Sequence, residues 1–170
     1  MTIREAKLTD IPEIMRIVAE VVPLMQAAGN RQWNNTYPNT GVFTNDIELK
    51  QLWLAEHNGE IAGVTAITTA PEPDYAQADI DITIPAVVTH RMAVSPRFQG
   101  LGIAVALLNH ADEVARANAL TKSRADTNTS NTAMQRLLLK AGYKNVGEIS
   151  LAHKPGLSFY CYEKDILQPV

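Results

Sequence analysis

Apolar and polar residues follow two different periods along this chain, and the points where the period changes mark its elements. "TIREA" (Thr2–Ala6) alternates residue by residue and predicts a short first strand. Ile11, Ile14, Val18, Val21 and Met25 then recur at helical spacing and predict a helix with one apolar face. Asp10 is placed to cap that helix and Pro12 lies in its first turn. Pro23 interrupts the pattern, so the helix is expected to kink or end near Val22. "GNRQWNNTYPNTG" (Gly29–Gly41) has the composition of a loop, although it carries Trp33 and Tyr37. Thr44 or Asn45 is placed to cap a short helix through "DIELKQ".

The period returns to two in "LWLAEHNGEIAGVTAITT" (Leu52–Thr69), which reads as a hairpin turning at Asn58-Gly59. "APEPDYAQADIDITIP" (Ala70–Pro85) is a loop with four carboxylates, Glu72, Asp74, Asp79 and Asp81. "AVVTHRMAV" (Ala86–Val94) is a β-rich run that stops at Ser95-Pro96. Helical spacing resumes at Ala104, Leu107, Leu108, Ala111, Val114 and Asn118, and "LTKSRADT" (Leu120–Thr127) is strand-like. Met134, Leu137, Leu138 and Ala141 predict a further helix ended by Gly142. Two strand candidates, near Val146–Ala152 and Leu157–Glu163, close the chain across "HKPG". This order, without a repeat or a linker, predicts one α/β domain over residues 1–170 with a mixed sheet.

A net charge of −3, with the basic residues scattered, argues against a general nucleic-acid binder. No apolar run reaches membrane-spanning length, and "MTIREAKLTD" lacks the apolar core of a signal peptide. A cytoplasmic protein with neither a membrane nor a nucleic-acid partner is therefore expected. The single cysteine, Cys161, allows no intrachain disulfide and fits a reducing compartment. No Cys/His set has metal-ligand spacing, so no metal is expected.

Candidate chemistry concentrates in "VSPRFQGLGIA" (Val94–Ala104), where a strand ends and a helix begins. Glycine inside a helix costs about 1 kcal/mol relative to alanine, so Gly100 and Gly102 need a reason. Either they form a plain turn, or they let an anion approach the unpaired N–H groups of a helix start, with Arg97 adding a charge-assisted contact. The spacing matches neither a P-loop nor a dinucleotide fingerprint, because no Gly-Lys-Ser/Thr follows and position 105 is Val105.

"RFQGLG" resembles the Arg/Gln-x-x-Gly-x-Gly/Ala signature of the GNAT N-acetyltransferases, and "NTAMQRLLLKAGY" (Asn131–Tyr143) resembles that family's second signature. "QWNNTYP", "HRMAV" and "FYCYEK" are similar to a bacterial subgroup of small members. The resemblance covers nearly the whole chain. It implies a single-domain fold with a mixed, mostly antiparallel sheet flanked by helices and a V-shaped splay between the fourth and fifth strands. It further implies acetyl-CoA as cosubstrate, its pantetheine arm pairing with the backbone of Met92, Ala93 and Val94. Its pyrophosphate would take N–H groups from Gln99, Gly100, Leu101, Gly102, Ile103 and Ala104. Asn131 would face the pantetheine or phosphate end, with Arg136 near the nucleotide.

In such an enzyme a neutral amine attacks the thioester carbonyl, and the N–H of Met92 or Val94 stabilises the oxyanion. A lysine-like amine is protonated at neutral pH, so a base or a water path must take its proton. By strand alternation His90 shares a face with Met92 and Val94 and is the candidate base, the alternative being a half-buried structural histidine. His57 reads as a turn residue, and His110 and His153 as solvated. Many members carry a tyrosine acid where this chain has Leu138; Tyr160 and Tyr162 are candidate substitutes. Trp33 and Tyr37 fall in the loop where the family binds acceptors and either cover the core or stack on substrate. The four loop carboxylates either draw in a cationic amine or form a solvated loop. The function implied is acetyl transfer to a primary amine of a small molecule, amino acid or peptide, with a homodimer as a further option. The alternatives are a catalytically weak CoA-binding sensor or partner module, and a protein N-terminal acetyltransferase.

Overall fold

Every predicted strand has a counterpart in the computed structural model, which describes residues 1–168. The strands are β1 (Thr2–Glu5), β2 (Leu52–His57), β3 (Glu60–Thr68), β4 (Val87–Val94), β5 (Lys122–Asn128), β6 (Lys144–Ser150) and β7 (Ser158–Asp165). The helices are α1 (Ile11–Ala27), α2 (Thr40–Glu48), α3 (Ile103–Ala117) and α4 (Thr132–Lys140). The strands form one open seven-stranded sheet in the order β1-β2-β3-β4-β5-β7-β6. β1/β2, β2/β3, β5/β7 and β6/β7 are antiparallel, whereas β4 and β5 run parallel through Val87↔Ser123, Val88↔Arg124 and Thr89↔Ala125. A parallel pair needs a crossover, and α3 provides it.

The hairpin turns where expected. Asn58 and Gly59 have φ of 52° and 78°, the two left-handed residues of a turn whose twist matches the flanking strands. Three local expectations are corrected. α1 runs through Pro23 to Ala27, and at its end Ala28 N donates to Leu24 O at 3.1 Å and Asn30 N to Met25 O at 2.9 Å. α2 begins earlier than a cap at Thr44 or Asn45 would place it, capped instead by Asn39, whose Oδ1 accepts from Val42 N at 3.0 Å. Asp10 stands at the cap position of α1 but its carboxylate serves Lys7 N at 2.7 Å and the Arg4 guanidinium at 2.9 Å. Those Arg4 hydrogen bonds hold the Asp10 carboxyl below its ordinary range.

The residues group into two compact units, Met1–Ile67 with His90–His110, and Thr68–Thr89 with the chain from Ala111 on. In the first, Ile14, Ile17 and Val18 of α1 and Phe43 of α2 bury against Leu52, Leu54, Val64, Ala66 and Ala93. A second cluster joins Ile103 and Leu107 of α3 to Ala55, Ala62, Phe98, Met92 and Val94. In the other unit Val88, Ile149, Leu151, Phe159 and Cys161 enclose Tyr75. Burial pushes the Cys161 thiol up to about 12, so it is a core residue and not a nucleophile.

Within that second unit, Lys164 Nζ donates to Asp112 Oδ2 at 2.8 Å and to Ala141 O at 3.1 Å, and lies 4.8 Å from the centre of the Tyr143 ring. Asp112 Oδ1 is buried without a partner among the described residues. Lys164→Met is therefore expected to destabilise the protein by about 3 kcal/mol by stranding that carboxylate. Lys164→Met/Asp112→Leu should recover most of the loss, as read from urea midpoints at unchanged slope.

Candidate active site

β4 is not a regular strand. Arg91, in its middle, has φ of +50°, a left-handed conformation that costs an L-residue about 1–2 kcal/mol. A buried ion pair holds it there. Arg91 Nε and Nη2 donate to Asp46 Oδ2 and Oδ1 at 2.8 and 2.7 Å, and the Asp46 side chain is 2% exposed. Gln51 Nε2 adds a bond to Asp46 Oδ1 at 2.9 Å, and the Tyr37 hydroxyl stands 3.5 Å from Arg91 Nη1. Burial works against the guanidinium's charge, but the hydrogen bonds and charge of Asp46 outweigh it and raise the Arg91 pKa.

The kink interrupts the pleat on which the placement of His90 rested, so strict alternation does not run from His90 to Met92. Met92 and Val94 pack with Ile103 and Leu107, while Ala93 packs with the α1 and α2 cluster. His90 is half-buried, and its carbonyl accepts a bond from Thr65 Oγ1 at 2.9 Å.

After β4 the chain is pinned by buried Phe98 and then turns through Gly100 and Gly102, with φ of +79° and +77°. Gly102 O accepts from Ala106 N at 3.0 Å, the first bond of α3. A Cβ added at either glycine would meet nothing within 4 Å. Packing therefore does not demand glycine here; backbone conformation does, and the space over both residues is open for a ligand's approach. The N–H groups of the first turn of α3 have no intrahelical acceptor, and the helix dipole favours an anion beside them. This donor set fits a pyrophosphate. Ile103 is buried and Leu101 exposed, so one side of the turn faces the core and the other solvent. Arg97 is exposed, paired with Glu60 Oε1 at 2.9 Å, and lies 5.4 Å from the Phe98 ring centre.

The remaining sequence candidates divide. Asn131 caps α4, its Oδ1 accepting from Met134 N at 3.1 Å, and Arg136 is exposed. Leu138 is fully buried. Tyr143, whose phenol burial raises to about 12, bonds Ser123 Oγ at 2.6 Å. Tyr162 is buried, which raises its phenol too, whereas Tyr160 is half-buried. Trp33 is 3% exposed in the core of the first unit; Tyr37 packs on the same core but stays partly open. His110 is not solvated as expected: its ring lies 4.3 Å from that of Trp53. His57 sets its edge against Phe98, and His153 is exposed. Asp81 accepts from Thr83 N at 3.0 Å within its own turn, whereas Asp74 accepts from the distant Ala152 N at 3.2 Å.

Comparison with known proteins decides what this geometry belongs to. The family described as "Acetyltransferase (GNAT) family" matches residues 19–143. The chain belongs to the GNAT acetyltransferases. Across 92% of this chain and 86% of its relative it is 24% identical to an uncharacterized N-acetyltransferase, YesJ, of Bacillus subtilis. A GNAT-family acetyltransferase structure from Streptococcus agalactiae superposes with a TM-score of 0.84 at 26% identity, covering 98% of this chain and 96% of that one. A putative acetyltransferase of Salmonella typhimurium, yncA, solved with acetyl-CoA, shares the fold at a TM-score of 0.70 and 20% identity, covering 100% and 96%.

As a GNAT acetyltransferase, the chain is an enzyme that takes its acetyl group from acetyl-CoA. Among the described residues no helix is long and apolar enough to cross a membrane, and no group of three or more His, Cys, Asp or Glu is arranged to hold a metal ion. Sequence reasoning missed the Arg91–Asp46 pair and a contact in the other unit, where the Tyr75 hydroxyl donates to Asp126 Oδ2 at 2.5 Å. The first had a signal. Asp46 lies three residues after Phe43 and just before Ile47, on the helix stripe that should be apolar, and Arg91 stands inside a β-rich run.

Because Arg91 is left-handed, the usual preference for alanine over glycine in a strand should invert at this position. In an Asp46→Asn background, which removes the buried charge, Arg91→Gly is expected to be more stable than Arg91→Ala by about 1 kcal/mol. Thermal unfolding of the two double variants measures it, and an ordinary extended residue would give the opposite order.

Proposed function

We propose that residues 1–170 act as one N-acetyltransferase domain that moves the acetyl group of acetyl-CoA to a primary amine of a small molecule, amino acid or peptide by direct attack. The observation that carries this reading is the pair of left-handed glycines opening directly into α3. Such a turn offers the N–H groups from Gln99 to Ala104 to a pyrophosphate, and Arg97 can exchange its exposed partner Glu60 for phosphate at little cost, since exposed ion pairs are worth at most about 1 kcal/mol. Backbone groups of Met92, Ala93 and Val94 bind the pantetheine arm, and one of their N–H groups stabilises the oxyanion. Asn131 fixes the start of α4.

The acceptor arrives protonated and must lose its proton before attack. His90 takes it, directly or through water; the amine nitrogen then bonds to the carbonyl carbon, the C–S bond breaks to release CoA thiolate, and the thiolate takes up the second proton that the amide nitrogen sheds. The thiolate is a tolerable leaving group without a tyrosine acid, which accommodates buried Leu138; of the two candidate substitutes, Tyr160 is less buried than Tyr162. Tyr37 contacts the acceptor, backed by Trp33 in the core. The lone Cys161 accords with a cytoplasmic setting.

Free thiol release from acetyl-CoA with a mixed panel of amines tests the activity. Amine-dependent release supports an enzyme, and CoA binding without release supports the sensor reading. With an amine that is protonated at neutral pH, His90→Gln should lower kcat/KM by about 10²-fold with CoA affinity unchanged, and a near-normal rate would make His90 structural.

A further inference from the structure

Asp46 takes only one edge of the Arg91 guanidinium. A guanidinium holds its N–H groups in a rigid planar fork, with one bidentate edge formed by Nε and Nη2 and another by Nη1 and Nη2. Asp46 fills the first, through Nε at 2.8 Å and Nη2 at 2.7 Å. On the second, Nη1 meets the Tyr37 hydroxyl at 3.5 Å, the outer limit of a hydrogen bond. Among the described residues, this second edge therefore keeps one N–H of Nη1 and the outer N–H of Nη2 for a further partner.

The fork is held still, and its second edge lies on the open side. Asp46 Oδ1 also accepts from Gln51 Nε2 at 2.9 Å, and the Asp46 side chain is 2% exposed, so the first edge is sealed. The Arg91 side chain keeps 17% of its surface open. Tyr37, beside the second edge, is half-buried and closes a turn of exposed residues. In that turn Asn34 Oδ1 accepts from Tyr37 N at 3.0 Å and Asn34 N donates to Tyr37 O at 2.9 Å. In the chain Arg91 stands between His90, the proposed base, and Met92, part of the backbone run proposed for the pantetheine arm. All of these residues belong to one compact unit.

Two parallel N–H donors on a cation match the two oxygens of a carboxylate. Asp46 already balances the charge of Arg91, so a plain anion would leave the site negative. An amino acid brings its own ammonium and leaves the balance unchanged. We infer that Arg91 binds the carboxylate of the acceptor through its Nη1–Nη2 edge, and that the enzyme therefore prefers amino acids to simple amines. This rests on the acetyl-transfer reading above. Arg91 is thus an acceptor-binding residue, and the kink of β4 is what presents it.

Thiol release from acetyl-CoA by a set of amino acids, each compared with its own carboxamide, tests this in the unaltered protein. The carboxamide has the less basic amino group, so amine chemistry alone would favour it. The acid is expected to show the higher kcat/KM, by about tenfold or more, the value of a charge-assisted hydrogen bond. Arg91→Lys keeps a cation for Asp46 but has no fork. It should abolish that preference and raise the KM of the acid about tenfold, with the acetyl-CoA KM within about twofold. A carboxamide used as well as its acid by the unaltered protein overturns this inference alone. So does a preference that persists in folded Arg91→Lys, or release with simple amines and with no amino acid. Absence of thiol release with every amine overturns the reading on which it rests, and the inference with it.

Discussion

The first turn of an α-helix leaves N–H groups that no residue of the helix can accept, and in this chain that constraint organises the site. The chain reaches α3 through two residues with φ near +80°, a conformation that only glycine adopts without cost. That turn lies between β4 and the buried start of α3 at Ile103, so its place follows from packing while its outward side stays available. A GNAT acetyltransferase takes its acetyl group from a large anionic cosubstrate, and unpaired backbone N–H groups at a helix start suit such an anion.

Charges placed where apolar residues would be expected supply the rest of the framework. Asp46 on the inner face of α2 draws Arg91 into a left-handed kink of β4, and Lys164 joins Asp112 of α3 to the end of α4. Arg124 with Glu163 does the same across β5 and β7. Buried pairs of this kind add little net stability, because desolvation offsets their attraction, but they penalise every arrangement that leaves one partner alone. They therefore specify geometry at the strands that carry the proposed chemistry.

Much of this was legible in the sequence, for reasons that are local. Asn58-Gly59 announces its hairpin because its two left-handed residues are a property of the dipeptide, and the glycines before α3 announce their left-handed turn in the same way. What could not be read is non-local. α1 continues past Pro23 into an end bonded by residues 28–30, and Asn39 caps α2 where Thr44 or Asn45 was expected. Arg91 is kinked through a partner 45 residues away, and Tyr75 finds Asp126 across 51. No period or spacing encodes such pairings, so His90 was placed by an alternation that the kink interrupts.

The central claim is that the turn at Gly100 and Gly102 binds the pyrophosphate of acetyl-CoA, and comparing two acetyl donors tests it most directly. Acetyl-pantetheine carries the same thioester and arm as acetyl-CoA but no pyrophosphate. Gly100→Ala places a Cβ in the open space over the turn and disfavours its left-handed backbone. The account predicts that this substitution raises the KM for acetyl-CoA about tenfold or more, the loss of charge-assisted hydrogen bonds, and leaves the KM for acetyl-pantetheine unchanged. Equal effects on both donors, or no effect on acetyl-CoA, would contradict it.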